Sequence, residues 1–465
     1  MKHCALISAI LLAGCGSGSG LSPDALPNRP DADPNTPDAD VTAPDAPPQG
    51  ACGDIVTFES GRTPTTEIHV AQQGSDQNGD GSAAYPYATI ERAAQNAQPG
   101  AAIRVHQGTY AGGAFISGLG GTQNAPIWLG GAQGEPRPVI VGGANAIHFV
   151  QVAYLIVHDL EIDSSQFNGI NCDDGGDFAN EQATHHVVFR NLHIHDVGTT
   201  GNQDCLKLSG INDYFVLDNV IERCGDGGSG IDQVGGHRGL IARNRFVDQG
   251  GNSVQTKGGS EDVEIRGNTF VNGGARALNM GGSTDLALFR PPLTGSGDTE
   301  ARNIRAIANI IDGGETAIGY VGCVDCTALH NTIVNPGRWV VRILQETPTA
   351  QGFLPARNGV FANNLVVYSS TTAGRAVSSG SDTEPGTFTF SHNLWYAADD
   401  PGQSTPNLPV AESGGVVGAD PLLTGYRTGA NSPAQGAGTT LPGVRGDFDG
   451  VCYADPPAIG AFAVP

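Results

Sequence analysis

A short motif recurs along the chain about every two dozen residues, and this repeat limits the fold more than any other feature of the sequence. Each copy joins a branched aliphatic residue to short polar residues and glycine, as in GINCDDGG, CLKLSG, GIDQVGG, SVQTKGG, ALNMGG and AIGYVG. The aliphatic anchors are Ile170, Leu206, Ile231, Val254, Leu278 and Ile318. Their spacings of 36, 25, 23, 24 and 40 residues indicate a basic unit of about 24 residues with two insertions.

A second repeat supports the first, because an asparagine recurs just before an apolar pair. Its copies are Asn191, Asn219, Asn244, Asn268, Asn309, Asn331, Asn364 and Asn393. Between the two motifs lie short segments of period 2 and glycine or aspartate turn signals. Strands that recur once per coil bury their inner face only by stacking, and buried asparagines at one corner can bond to one another. The pattern predicts an all-β parallel solenoid.

The first 50 residues differ in composition from the rest. An apolar run ends in LAGC at Cys15, is too short to span a bilayer and has the form of a cleaved signal. It resembles the lipobox of bacterial lipoproteins, which implies a signal peptide over residues 1–15, lipid on Cys15, and a membrane contact through that anchor alone. Residues 16–50, rich in proline, aspartate and alanine, are predicted to be a disordered tether before a domain at 51–465.

The charge balance limits the partners. The chain has 24 lysines and arginines against 47 aspartates and glutamates, a formal net charge of −23. Such a field repels nucleic acid, so no nucleic-acid role is expected. Removing Cys4 and Cys15 leaves seven cysteines, an odd number, so at least one stays unpaired in an exported chain where disulfides can form. Oligomeric state has no signal in the sequence.

The spacing resembles the right-handed parallel β-helix of the pectate-lyase-like superfamily, with coils over about 66–400. The segment PYATIERAAQNAQPGAAIRVHQGTY is similar to that family's entry signature, and residues 401–465 are similar to its closing segment. Ile90, Ala93, Ala94 and Ala97 form one apolar stripe between two prolines. This predicts a short helix that caps the N-terminal end of the solenoid.

Period 2 places particular side chains on the outer face of the anchor strands. The residues after the anchors form one outward column, Asn171, Lys207, Asp232, Gln255 and Asn279. Two positions further lie Asp173, Ser209, Val234 and Lys257. The only two lysines beyond the leader, Lys207 and Lys257, are therefore expected on one face, about two coils apart, with Asp232 between them.

The resemblance implies a chemistry for this face. In many lyases of the superfamily, a lysine or arginine removes the proton alpha to a uronate carboxylate, which calcium or another cation neutralises. The first candidate for the base is Lys257, and the second is Lys207. Arg276 and Arg290 are candidates for pairing with the substrate carboxylate, and Gln255, Asn279 and Phe289 are candidates for further sugar contacts. The candidate calcium ligands are Asp173, Asp174, Asp204 and Asp232. ALNMGG follows the Lys257 coil where the alginate and chondroitin lyases carry arginine and histidine.

Several alternatives remain open at this stage. Asp232 and the two lysines could instead form an exposed ion pair that contributes little to stability. Asp204 and Asp232 would be the acid pair of a glycoside hydrolase. His193 and His195 place two imidazoles on one strand face with no third ligand near them in sequence. The sequence thus predicts a cell-envelope lipoprotein, in the outer membrane or at the cell surface, that acts on polysaccharide by β-elimination or, alternatively, binds glycans without catalysis.

Overall fold

A computed structural model describes residues 52–198 and 201–463 of the protein. The predicted signal peptide 1–15, the lipidation site Cys15 and the tether 16–50 lie outside the described residues. Within the described part, no helix is long and apolar enough to cross a membrane.

The described chain winds into stacked coils whose short strands form three parallel sheets, which we name A, B and C. The strands of sheet A are Thr66–Val70, Ala101–Val105, Ile127–Gly131, Ala153–His158, Thr184–Arg190, Ile211–Asn212, Phe215–Leu217, His237–Ala242, Ser260–Arg266, Ala301–Arg302, Arg305–Ile307, Cys323–Val324, Thr327–Leu329, Val360–Ala362 and Thr389–Ser391. The strands of sheet B are Thr109–Ala111, Val139–Val141, Glu161–Asp163, His193–His195, Val220–Glu222, Arg245–Val247, Thr269–Val271, Ile310–Asp312, Thr332–Val334, Leu365–Tyr368, Leu394–Ala397 and Val416–Val417. The strands of sheet C are Ala114–Ser117, Asn145–Val150, Asn168–Asp173, Asp204–Ser209, Ser229–Val234, Asn252–Lys257, Arg276–Gly281, Thr316–Val321, Trp339–Leu344 and Val377–Ser379.

The remaining elements are few and short. They are the helices Ile90–Asn96 and Ser370–Ala373, the 3-10 turns Leu286–Leu288, Thr349–Gln351, Pro385–Thr387 and Pro401–Gln403, and an antiparallel pair of strands, Leu423–Thr424 and Arg427–Thr428. The predicted all-β parallel solenoid is confirmed.

The aliphatic anchors set the register of sheet C. Ile170 pairs with Leu206, and the pairing continues coil by coil to Ile318. All six anchors are fully buried inside the coils. Because alternate residues of a strand point to opposite faces, the residue that follows each anchor must then face outward.

The asparagines form a hydrogen-bonded ladder at the corner between sheets A and B. Each side chain in it donates Nδ2 to the Oδ1 of the next at 2.8–3.0 Å, and the backbone N–H of most also donates to that oxygen. The members are Asn219, Asn244, Asn268, Asn309, Asn331, Asn364 and Asn393. The Glu412 carboxylate ends the ladder by accepting from the backbone N–H and Nδ2 of Asn393 at 3.0 and 2.7 Å.

Asn191 was predicted to be the first member, and this is wrong by one position. The register aligns Asn191 with Asp218 and Leu192 with Asn219. Asn191 instead takes the left-handed conformation of the corner, with φ of 51°, and bonds to Arg137 and Asp159. The asparagine motif alone does not distinguish the ladder position from the left-handed position before it, where asparagine is also favoured.

The predicted capping helix is present at Ile90–Asn96. Thr89 caps its N-terminus by accepting from the backbone N–H of Arg92. Ile90, Ala93 and Ala94 are buried against the core of the first coils. The helix therefore covers the apolar end of the solenoid, as the stripe predicted.

Three disulfides form among the described cysteines, and Cys172 stays unpaired and buried. The pairs are Cys52–Cys452, Cys205–Cys224 and Cys323–Cys326. Cys52–Cys452 joins the segment before the first coil to the C-terminal segment, 400 residues away in sequence. The expectation of an unpaired cysteine is confirmed.

Replacing a central ladder residue should destabilise the fold. Asn268→Ala orphans the buried N–H of Asn244 and the carbonyl of Ile241, which accepts from Asn268 at 2.9 Å. We expect the free energy of unfolding to fall by about 1–3 kcal/mol for each buried group left without a partner. Urea unfolding followed by circular dichroism measures the change. Asn124→Ala at an exposed position is the control, and equal midpoints for the two variants would contradict a stabilising role of the ladder.

Candidate functional site

The outward face of sheet C lines up as the sequence predicted. Its first column is Asn171, Lys207, Asp232, Gln255 and Asn279, each in register with the next. The second column is Asp173, Ser209, Val234 and Lys257. Both columns project from the strands whose anchors fill the core, so rigid elements position every one of these side chains.

Asp232 brings the two lysines together. Its Oδ2 accepts a hydrogen bond from Nζ of Lys207, and its Oδ1 lies 3.4 Å from Nζ of Lys257. Nζ of Lys207 is also 3.5 Å from Oδ2 of Asp204. Only 1% of Asp232 and 2% of Asp204 is exposed, against 22% and 13% of the lysine side chains. The alternative of an exposed ion pair is therefore wrong, because both carboxylates are buried beneath the lysines.

Burial and charge push the pKa values of the two aspartates apart. Burial raises the pKa of Asp204 to about 7, and the negative charge of Asp232 acts in the same direction. Burial also opposes ionisation of Asp232, but the charges of Lys207 and Lys257 outweigh it and hold the pKa of Asp232 below its usual range. Near neutral pH one carboxylate is thus ionised beside another that is partly protonated.

Lys207 is held as a cation. Burial alone would lower the pKa of Lys207, but the charges of Asp232 and Asp204 raise it above its ordinary value. A protonated amine cannot accept a proton, so Lys207 does not suit the role of base that the sequence analysis gave it as second choice. It suits instead the role of a fixed positive charge.

Two amides connect the cluster to the next coils. Gln255 donates Nε2 to Oδ1 of Asp232 at 3.1 Å, and Asn279 donates Nδ2 to Oε1 of Gln255 at 2.8 Å. Asn279 is only 1% exposed, so it holds Gln255 in place and does not present a surface to a sugar. Arg276 bonds to Asn279 at 3.4 Å and to Glu346 at 2.6 Å, which already neutralises much of its charge.

After the strand Arg276–Gly281 the chain makes an excursion from the coils, and Phe289 and Arg290 are buried within it. The prediction that these two residues contact the substrate is therefore wrong. Phe289 is 1% exposed and packs against Phe353 with ring centroids 5.2 Å apart. Arg290 is buried in a two-bond ion pair with Asp174, at 2.6 and 3.1 Å. The excursion folds back beside the second column, where the N–H of Arg290 donates to the carbonyl of Gly258.

The predicted calcium ligands do not come together. Asp174 is neutralised by Arg290, while Asp173 accepts from His148 at 2.6 Å and from the N–H of Gly175 at 2.9 Å. Asp204 accepts from the N–H of Ser229 and faces Lys207. These three carboxylates form no common group of ligand atoms among the described residues. They do not fit a calcium ion, so no step of a reaction is assigned to one.

Two residues that were not predicted from the sequence continue the first column. His148 lies in register with Asn171, and Phe115 lies in register with His148. Their rings are 5.2 Å apart, and Phe115 is 57% exposed. The signal was present, because Ile147 and His148 repeat the anchor pattern one coil before Ile170.

The raised pKa of Asp204 predicts a pH dependence of stability. Because the folded state binds this proton more tightly than the unfolded chain does, the contribution is full below pH 3.8 and is lost as the pH rises to about 7. Urea unfolding of the wild type and Asp204→Asn over this range should show the wild type losing stability relative to the variant as the pH rises. Asp382→Asn, at an exposed position, is the control. A stability advantage of the wild type that grows with pH would contradict the assignment.

One family model and several solved structures are similar to this chain. A family model described as a right handed beta helix region matches residues 141–290. No curated protein matches the sequence. One similar solved structure is the GH136 lacto-N-biosidase from Eubacterium ramulus, with 14% identity and a TM-score of 0.48 over 75% of this chain and 66% of its own. Another is the alginate lyase from Paenibacillus sp. str. FPU-7, with 16% identity and a TM-score of 0.44 over 69% of this chain and 97% of its own.

A third solved structure aligns over nearly its whole length. Pectate lyase Pel9A is similar over 87% of this chain and 98% of its own, with 16% identity and a TM-score of 0.52. At this identity the likeness concerns the fold alone. Together with the family model it confirms the predicted hand: the chain is a right-handed parallel β-helix similar in architecture to pectate lyase Pel9A.

Proposed function

We propose that the protein is an exported lipoprotein that acts on a polysaccharide through the outward face of sheet C. The observation that carries the proposal is the buried carboxylate of Asp232 beneath Lys207 and Lys257. Charges placed this way are costly to bury and add little to packing. A cluster with opposed pKa shifts on one face is more typical of a reactive site than of a scaffold.

The reaction that fits the two lysines best is β-elimination on a uronate-containing chain. Lys257 acts as the base in its unprotonated form: its neutral amine takes the proton from the carbon alpha to the carboxylate, and the electrons of that C–H bond form the new double bond as the glycosidic C–O bond on the beta carbon breaks. The leaving oxygen departs with a proton from water. Lys207, held as a cation, neutralises the carboxylate while negative charge develops on it.

This division of roles follows from the contacts of each lysine. Lys207 is tied to both Asp204 and Asp232, and its charge is fixed. Lys257 faces Asp232 alone among the aspartates of the cluster, at 3.4 Å. Because Lys207 supplies the positive charge, the proposed reaction needs no calcium at Asp173, Asp174 and Asp204.

Hydrolysis by Asp204 and Asp232 is the second candidate. The observation in its favour is the divergence of their pKa values, since a protonated and an ionised carboxylate are the acid and the nucleophile or base of a glycosidase. Against it, both carboxylates are buried and their oxygens are engaged by Lys207, Lys257 and Gln255.

A product assay separates the two reactions. The full-length protein is incubated with a panel of uronate polysaccharides and neutral glycans, and ultraviolet absorbance of unsaturated ends is recorded beside new reducing ends. We expect absorbance on a uronate substrate, no loss of activity in chelator, and a decrease in kcat of about 10²–10⁴-fold in Lys257→Ala, as is usual when a general base is removed. Arg302→Ala, which removes a cation from sheet A, should leave the rate unchanged.

Other outcomes identify the alternatives. New reducing ends without absorbance, abolished in Asp204→Asn, would overturn elimination in favour of hydrolysis. Retention on an immobilised polysaccharide without any product, by protein whose circular dichroism shows it folded, would replace both with a glycan-binding role. Full activity of Lys257→Ala would remove that residue from the mechanism.

The lipid anchor is tested separately. If Cys15 is lipidated, the mature chain begins there and partitions with the membrane fraction. We expect Cys15→Ser, expressed in a bacterial host, to lose incorporation of labelled fatty acid and to appear in the soluble fraction. A Cys172→Ser variant, which changes a buried thiol within the coils, should retain the label. Labelling that persists in Cys15→Ser would contradict the anchor.

A further inference from the structure

Two histidines of sheet B lie side by side on its outer surface, away from the sheet C face. His193 and His195 flank the fully buried Ile194, so both imidazoles point outward, and their ring centroids are 4.3 Å apart. In the preceding coil, Glu161 is in register with His193 and Asp163 with His195. The coil that stacks below therefore supplies the third group that the HIH motif lacks in sequence.

The distances suit a metal ion. Nε2 of His195 lies 3.3 Å from Oε1 of Glu161. One ligand atom from each of Glu161, His193 and His195 lies within 4.8 Å of the other two. Zinc bonds of 2.0–2.1 Å in a tetrahedral site place neighbouring ligand atoms roughly 3.4 Å apart. Small adjustments of the side chains would therefore bring all three atoms into coordination.

A second layer of contacts orients His195. Its Nδ1 lies 2.7 Å from Oδ2 of Asp196, and Arg223 fixes that carboxylate with two bonds at 2.7 and 2.9 Å. If Nδ1 donates its proton to Asp196, Nε2 presents its lone pair to the side of Glu161. A carboxylate behind an imidazole in this way is the usual support of a metal-ligating histidine.

We propose that Glu161, His193 and His195 form a site for a divalent transition metal such as Zn²⁺. Two imidazoles and one carboxylate prefer Zn²⁺, Co²⁺, Ni²⁺ or Cu²⁺ to calcium or magnesium. Water would take the fourth position. The ion would join two consecutive coils and, because it binds only when they are stacked, would stabilise the folded protein. The site is independent of the reaction proposed for sheet C.

Cobalt is a direct probe, because Co²⁺ in a tetrahedral site absorbs visible light and Zn²⁺ displaces it. The full-length protein, without a histidine tag and stripped with chelator, is titrated with Co²⁺ and then with Zn²⁺. We expect the wild type to bind one equivalent more than the double variant His193→Ala/His195→Ala, and to show a visible band that the double variant lacks. Asp196→Asn should weaken binding about 10–100-fold, as loss of such support typically does.

The matched control is His158→Ala on sheet A. The side chain of His158 is 15% exposed, close to the 12% of His195, and it also has an aspartate neighbour, but it belongs to no three-ligand group of the described residues. The His158→Ala variant should bind Co²⁺ and Zn²⁺ as the wild type does. Equal isotherms for the wild type and the double variant, or no band in the wild type, would overturn the proposal. A higher melting temperature with Zn²⁺ in the wild type alone would support the joining of the coils.

Discussion

Every coil of this protein depends on hydrogen bonds that it makes with the coils on either side. The backbone ladders of the three sheets supply most of them, and the ladder from Asn219 to Asn393 supplies the ones at the corner between sheets A and B. Because each amide accepts from the coil before it and donates to the coil after it, a slip of one residue would leave buried polar groups unpaired. From Asn219 to Asn393, the corner thus fixes the register of each coil to the next.

That register is what assembles both candidate sites. Lys207, Asp232 and Gln255 are 23–25 residues apart in sequence but in neighbouring coils, about 4.8 Å apart along the stack. Glu161 and His193 meet in the same way on sheet B. The lysine–aspartate cluster has no local sequence motif, because stacking alone brings its members together. The HIH motif is local, but its third ligand, Glu161, comes from the neighbouring coil.

Prediction from the sequence succeeds where a position recurs in every coil. The anchor strands determine which residues point outward, and the repeat alone is enough to place Lys207, Asp232 and Lys257 together. The same reasoning fails where the chain leaves the repeat. Phe289 and Arg290 lie in an excursion that has no repeat, so its path cannot be predicted from the sequence. The ion pair between Arg290 and Asp174 shows that the excursion folds back along the coils.

Burial is the other quantity that the sequence does not supply. The repeat predicts which way a side chain points but not which other side chains cover it. An aspartate that points outward is therefore predicted to be exposed to solvent even where it is buried. Asp232 and Asp204 lie beneath the lysine side chains, and this depth drives their pKa values apart. The Cys205–Cys224 disulfide sits beside Asp204 and ties its coil to the next, which limits how far the cluster can open.

Parallel coils leave unpaired backbone and side-chain groups at each end of the stack, and such edges invite another copy to add on. At the last rung the Glu412 carboxylate takes both donors of Asn393 and also accepts from the indole N–H of Trp395 at 2.8 Å. A carboxylate has no hydrogen to pass on, so the alternation of donor and acceptor that carries the ladder from coil to coil stops there. The ladder therefore has a fixed last member at this corner, and the group that ends it cannot donate a hydrogen bond to a further turn.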